Sequence, residues 1–320
     1  SRSHSLSLSK GSRLRPVERG SARTITVTYS LFATIFFLAH PINSEVINWI
    51  GGVPELLLGI FTIGLLIFYK KYSESKNVRY LFASAILFFL GLFSKETGFF
   101  TLFLVIGYEA VFVGVKKKRL DLQKYFQAFV FFLAPLILYL MFRTAVLGRI
   151  IYQYEGYYSM TFWEQIGNAL SLFPKYVFKL IYPLPLTLQH PFTPIKGAEG
   201  SLVFGVLVLI AFGSLLYFAI AKKQKVLVFG LLFFLITLSP YLIFINKLGE
   251  FNFSERYLFL PSIGFTLIVF DTVGRLQGLA LVRTRGRTVW CIPRRGLFKK
   301  AGLLIFAVYL LSSWIIVAVN

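Results

Sequence analysis

The chain has 320 residues, 57% of them apolar and only 15% charged, with a mean hydropathy of +0.72. Soluble domains carry about 45–50% apolar and about 25% charged residues, so that class is excluded. The net charge of +21 accompanies 36 Phe and 17 Tyr on long uncharged runs, which sets the charge beside a membrane and not on nucleic acid. One cysteine, Cys291, excludes an intramolecular disulfide framework and any cysteine-based metal cluster.

Residues 1–24 are Ser/Arg-rich, lack the apolar core of a cleavable signal peptide, and read as a disordered or non-native basic segment. Apolar runs able to form membrane helices follow at 25–39, 55–69, 79–94, 97–115, 125–147, 202–221, 226–245, 256–273 and 301–319. They predict an all-α integral membrane fold of nine transmembrane helices. The second and third runs are short, so their ends are expected to extend into flanking polar residues or to lie in a thin part of the bilayer. The stretch 165–188 carries Pro174, Pro183, Pro185, Lys175 and Lys179; the two lysines, four apart, predict an interfacial amphipathic helix. It belongs to a long outer loop, 148–201. Residues 25–273 then form one transmembrane domain, followed by a basic cytoplasmic loop at 274–300 and a final helix within 301–320.

Basic residues alternate along this layout. Arg2 to Arg23, Lys70 to Arg79, Lys116 to Lys124, Lys222 to Lys225 and Arg275 to Lys300 fall at alternate ends of the spans. Lysine and arginine collect on the cytoplasmic side, which predicts an inside N-terminus. Most carboxylates (Glu45, Glu55, Glu96, Glu155, Glu164, Glu199, Glu250 and Glu255) fall opposite, and three short clusters hold most of the chemistry of that side. The first runs from His40-Pro41 through Asn43, Glu45, Asn48 and Trp49 to Pro54-Glu55; the second is Ser94-Lys95-Glu96-Thr97-Gly98; the third is Asn252-Phe253-Ser254-Glu255-Arg256-Tyr257.

A Lys–Glu pair at membrane depth is costly to desolvate, so it is kept either for mutual neutralisation or for an ionic ligand. Ser254 could cap the following helix, with Glu255 favourable at its positive end. Arg256 has no such explanation unless an anion pairs with it, and its five-donor fork suits phosphate. His40 either belongs to the chemistry of its cluster or is a helix-end histidine satisfied by backbone. Glu109 lies within a span.

The segments FFLAHPINSEVINWIGGVPELL (36–57), LFSKETGFF (92–100) and FSERYLFLPSIGF (253–265) resemble the polytopic GT-C glycosyltransferases. They look most like the protein O-mannosyltransferases that carry tetratricopeptide repeats, and their bacterial relatives. The resemblance implies a sugar donor on a polyprenyl phosphate, with transfer to a protein Ser/Thr or a glycan on the outer face of a plasma membrane, read as a bacterial inner membrane. It further implies that His40, Lys95, Glu255, Arg256 and Tyr257 bind the donor phosphate or sugar. Glu45, Glu96 or Glu255 would orient the cations or hold a divalent metal. The catalytic base of such enzymes lies in a first outer loop that precedes residue 25, so the chain reads as a fragment or degenerate member. Val53 stands where the family motif usually has Arg. Tyr152, Tyr154, Tyr157, Tyr158, Trp163 and His190 would lie over the outer mouth, stacking on sugar rings or sitting at headgroup level. A non-catalytic scaffold and a lipid-handling or transport protein remain the alternatives.

Overall fold

The computed structural model describes residues 29–113, 122–148, 158–187, 190, 192–195, 200–248, 252–276, 280–284 and 287–291. The segment 1–24, the span 301–319 and Tyr152, Tyr154 and Tyr157 lie outside them. The described chain is helical apart from one hairpin. Its helices are α1 (Tyr29–Ala39), α2 (Ser44–Asn48), α3 (Val53–Ser75), α4 (Val78–Ser94), α5 (Thr101–Tyr108), α6 (Leu122–Leu147), α7 (Phe162–Ile181), α8 (Gly200–Ala221), α9 (Lys225–Ile243) and α10 (Phe259–Leu276). Among the described residues six helical stretches are long and apolar enough to cross a membrane. A seventh is added if α1 and the segment Pro41–Asn48, bent by 51° at His40, make one span. The apolar α4 is shorter, at 17 residues.

Helix ends follow the local sequence. Pro54 sits in the first turn of α3, where its missing N–H costs nothing, and the helix extends beyond the 55–69 run into the flanking polar residues as expected. It stops at Lys76 in the left-handed conformation (φ 60°), after which Asn77 caps α4 by accepting the Arg79 N–H at 3.0 Å. Thr161 and Glu164 form a capping box that starts α7. Strands β1 (Ala280–Thr284) and β2 (Arg287–Cys291) pair antiparallel inside the segment expected to be a loop. Val282, Thr284, Thr288, Val289 and Trp290 supply the β-branched and aromatic character behind that difference.

Helices α9 and α10 are the most enclosed, α6 and α8 the most exposed. Between apolar helices in lipid there is no hydrophobic drive, so close van der Waals approach must hold them. Glycine provides it here. A Cβ on Gly264 would lie 2.6 Å from the Phe234 backbone nitrogen, and one on Gly205 would lie 2.1 Å from the Leu170 carbonyl oxygen. These two contacts seat α10 on α9 and α8 on α7. A second packing centre lies between α3, α4, α5 and α6, where Tyr69, Phe88, Leu102 and Phe132 are fully buried.

The antiparallel connections put Lys76, Arg79, Lys222, Lys223 and Arg275 at one end of the bundle. Glu55, Lys95, Tyr241 and Arg256 lie at the other. At the lysine-rich end Tyr69 donates to Glu109 at 2.8 Å, Tyr29 donates to the Phe270 carbonyl at 2.7 Å, and Arg275 grips the buried Asp271 at 2.6 and 3.2 Å.

Helix α7 spans Phe162–Ile181 and does not extend to 188. Lys175 is exposed while Lys179 is buried, so the two lysines do not share one environment. Burial of Lys179 follows from an ion-pair partner on a distant segment, described below.

Replacing Gly264 by Ala should lower the stability of the detergent-solubilised chain by about 1–3 kcal/mol, because backbone and not a flexible side chain blocks the new methyl. Gly213→Ala, with nothing within 4 Å, should leave the thermal unfolding midpoint unchanged or raise it.

Candidate functional site

The site is built where four chain segments end together. His40 precedes Pro41, and α1 stops there because the residue before proline is driven out of helical conformation. His40 Nδ1 accepts the Ile42 N–H at 3.3 Å, which leaves the ring proton on Nε2 to be donated to the Leu180 carbonyl at 3.0 Å. The neutral ring thereby ties the end of α1 to the end of α7, with Phe36 and Phe265 edge-on against it. This matches the backbone-satisfied reading. Both nitrogens serve the fold, and His40 is not positioned as a phosphate ligand.

Glu45, in the first turn of α2, is buried and receives three bonds from the far end of the chain. Ser254 Oγ reaches its two oxygens at 2.8 and 3.1 Å, and the Arg256 backbone N–H donates at 2.9 Å. Its carboxylate thus satisfies donors at the start of the turn Glu255–Leu258, which leads into α10. Ser254 does not cap that turn with its own hydroxyl. The anion that lets an arginine stand at this helix start is Glu45, 3.8 Å from Arg256 Nη1.

Lys95 leaves α4 in extended conformation and turns its ammonium back to Glu55, in the first turn of α3, as a direct ion pair. It also donates to the Tyr241 hydroxyl at 3.2 Å and lies 5.0 and 5.3 Å from the ring centroids of Tyr241 and Tyr257. Those rings stack at 4.3 Å and 16°. On the other side of Tyr257 comes Arg256, which donates to its hydroxyl at 3.2 Å and rests 4.4 Å from the Trp49 ring centroid. Trp49, Arg256, Tyr257, Tyr241, Lys95 and Glu55 therefore form one continuous chain of contacts. Cation–π contacts of this kind contribute about 0.5–2 kcal/mol each.

The electrostatic layout has a direction. Lys95 and Arg256 keep 22% and 23% of their side-chain surface open, while Glu55 and Glu45 keep only 5% and 3%. Positive charge faces outward and the balancing carboxylates lie behind it. Burial pulls the Lys95 ammonium down, but Tyr241 and Glu55 outweigh it and hold its pKa above the ordinary 10.5. Two partly open cations in this arrangement can receive an anion.

Two expected members point elsewhere. Glu96 is 70% exposed and pairs with Arg143 of α6 at 2.6 Å, so it does not orient Lys95 or Arg256. Its place in a tight turn, Glu96–Phe100, sends it away from the backward-facing Lys95. Glu255 faces the other side of its turn, toward Lys179 at 2.9 Å and His190 at 3.2 Å. The role expected of these two belongs to Glu55 and Glu45. Glu55 was legible as part of the first cluster but reads locally as a helix-start acid; Tyr241, within an apolar span, gave no local signal. In the loop, Tyr158 packs edge-on against Phe192 and donates to its carbonyl at 3.0 Å, whereas Trp163 is exposed. Among the described residues no group of three or more His, Cys, Asp or Glu gathers to hold a metal ion.

Comparison with protein-family models, with curated proteins and with solved structures finds no match to this chain.

A double-mutant cycle should detect the Lys95–Glu55 pair. Glu55→Ala should cost about 0.5–3 kcal/mol more in the presence of Lys95 than in a Lys95→Met background, read by thermal unfolding in detergent. Because the Lys95 pKa is raised, its share is full below 10.5 and disappears only as pH rises through the higher folded value. The coupling should therefore stay constant from pH 7 to 9.

Proposed function

We propose that this chain is a polytopic GT-C-type glycosyltransferase, or part of one, that grips a polyprenyl-phosphate sugar at the Lys95–Arg256 end. In this reading nine helices span a plasma membrane, the lysine-rich end is cytoplasmic and the site faces outward. The supporting observation is that residues from three separated motifs meet as two outward cations on an aromatic base, with their carboxylates behind.

The chemistry follows from that layout. An acceptor hydroxyl of a protein or glycan attacks the anomeric carbon, and the bond from that carbon to the phosphate oxygen breaks. The electron pair leaves with the phosphate, whose growing charge Lys95 and Arg256 offset. Arg256 supplies a planar fork, of which one nitrogen already holds the Tyr257 hydroxyl; Lys95 supplies a compact charge. Trp49 is exposed and offers a flat face to a pyranose ring, whereas Tyr257 is buried with its ring stacked on Tyr241 and supports Arg256 instead of touching the donor. Glu45 and Glu55 each hold a cation, so the hydroxyl proton passes to the departing phosphate or to water, and neither carboxylate is assigned as its base.

Binding of radiolabelled polyprenyl-phosphate mannose to membranes carrying the full chain tests this. Arg256→Gln should weaken retention by about tenfold or more, the value of one charge-assisted phosphate contact, and Arg256→Lys should restore only part of it. Equal retention by all three, each confirmed monodisperse after solubilisation, would overturn the donor site and leave the network as a scaffold element. Transfer of label to protein or glycan separates a transferase from a lipid-handling protein.

A further inference from the structure

The turn Glu255–Leu258 has a second side. While Arg256 faces Trp49 and Tyr257, the adjacent Glu255 accepts from Lys179, His190 and the Thr187 N–H at 2.9, 3.2 and 3.3 Å. Of these groups Lys179 and His190 line a cleft of about 480 Å³ beside α7, walled by Phe178, Phe192 and Phe253. That volume suits a small ligand or the head and upper chain of a lipid.

Charge within the cleft is nearly balanced. Lys179 is cancelled by Glu255 and also donates to the Pro185 carbonyl, and His190 is engaged by Thr187 and Glu255. Lys175, one turn earlier on α7, is exposed and forms no ion pair among the described residues. One positive charge without an ion pair among the described residues thus stands at the rim, while Glu255, buried behind Lys179, offsets the charge of that second lysine. The apolar wall does not end at the cleft. Phe178 packs at 6.0 Å against Phe204 of α8, and Phe178, Ile181, Tyr182 and Phe204 are all exposed, on helices whose outer faces are apolar. Phe178 and Tyr182 belong both to the cleft lining and to this exposed apolar surface, which joins the cleft to the bilayer side.

We propose that this cleft binds an anionic glycerophospholipid of the surrounding membrane, its phosphodiester on Lys175 and an acyl chain along Phe178 and Phe204. The site is separate from the Lys95–Arg256 cluster and does not depend on the glycosyltransferase reading. Anionic lipids are drawn by a surface lysine, and the cationic part of a zwitterionic headgroup opposes that attraction.

Native mass spectrometry of the full chain, released from detergent containing phosphatidylglycerol and phosphatidylcholine in equal amounts, tests it. The unaltered chain should retain phosphatidylglycerol in about fivefold preference, the share one lysine contributes at an anionic surface. Lys175→Gln should abolish the preference and Lys175→Arg should keep it. Lys222→Gln, at the opposite end of the bundle, should also keep it. Equal retention of the two lipids by the unaltered chain, or an undiminished preference in Lys175→Gln, would overturn the proposal.

Discussion

The carboxylate of Glu45 is the constraint on which the site depends. It joins segments 209 residues apart in sequence, taking the Ser254 hydroxyl and the Arg256 N–H in a buried space. A carboxylate in such surroundings is tolerated only when it is fully hydrogen-bonded and paired. By meeting those needs with the backbone of the turn before α10, it sets the turn's rotation. That rotation sends Arg256 to one side and Glu255 to the other.

From this follows a division of labour between neighbouring residues. Arg256 joins Trp49, Tyr257 and, through Tyr241, Lys95 in an outward-facing cationic shelf. Glu255 neutralises Lys179 inside the α7 cleft. Had both faced the same way, Glu255 would have cancelled the arginine charge and left Lys179 buried without a counter-ion. His40 supports the arrangement from beneath by fastening α7 to the end of α1.

The helices bring these ends together by close packing and not by apolar burial. Gly264 and Gly205 remove the side chains that would separate α10 from α9 and α8 from α7. Once the helices touch, short polar loops at their ends have little freedom. Only Glu96 and Thr97 separate Lys95 from Gly98, whose backbone N–H bonds the Lys95 carbonyl at 2.8 Å; Tyr241 comes from the last turn of α9, next to Pro240.

Membrane character, the six long apolar helical stretches among the described residues and the placing of acids and isolated cations at helix ends were legible in the sequence, whereas the expected span at 79–94 is a shorter helix. These depend on hydropathy run length and on local charge, both properties of contiguous residues. Side-chain pairing was not legible. Lys95 and Glu96 read locally as a pair, yet the first reaches Glu55 and the second Arg143. Lys175 and Lys179 read as equivalents on one helix face, yet only the second finds a distant carboxylate and is buried. A hydropathy run is decided by neighbours along the chain. An ion pair in a bundle is decided by which helix lies alongside and how far it is rotated, and only the packed structure holds that information.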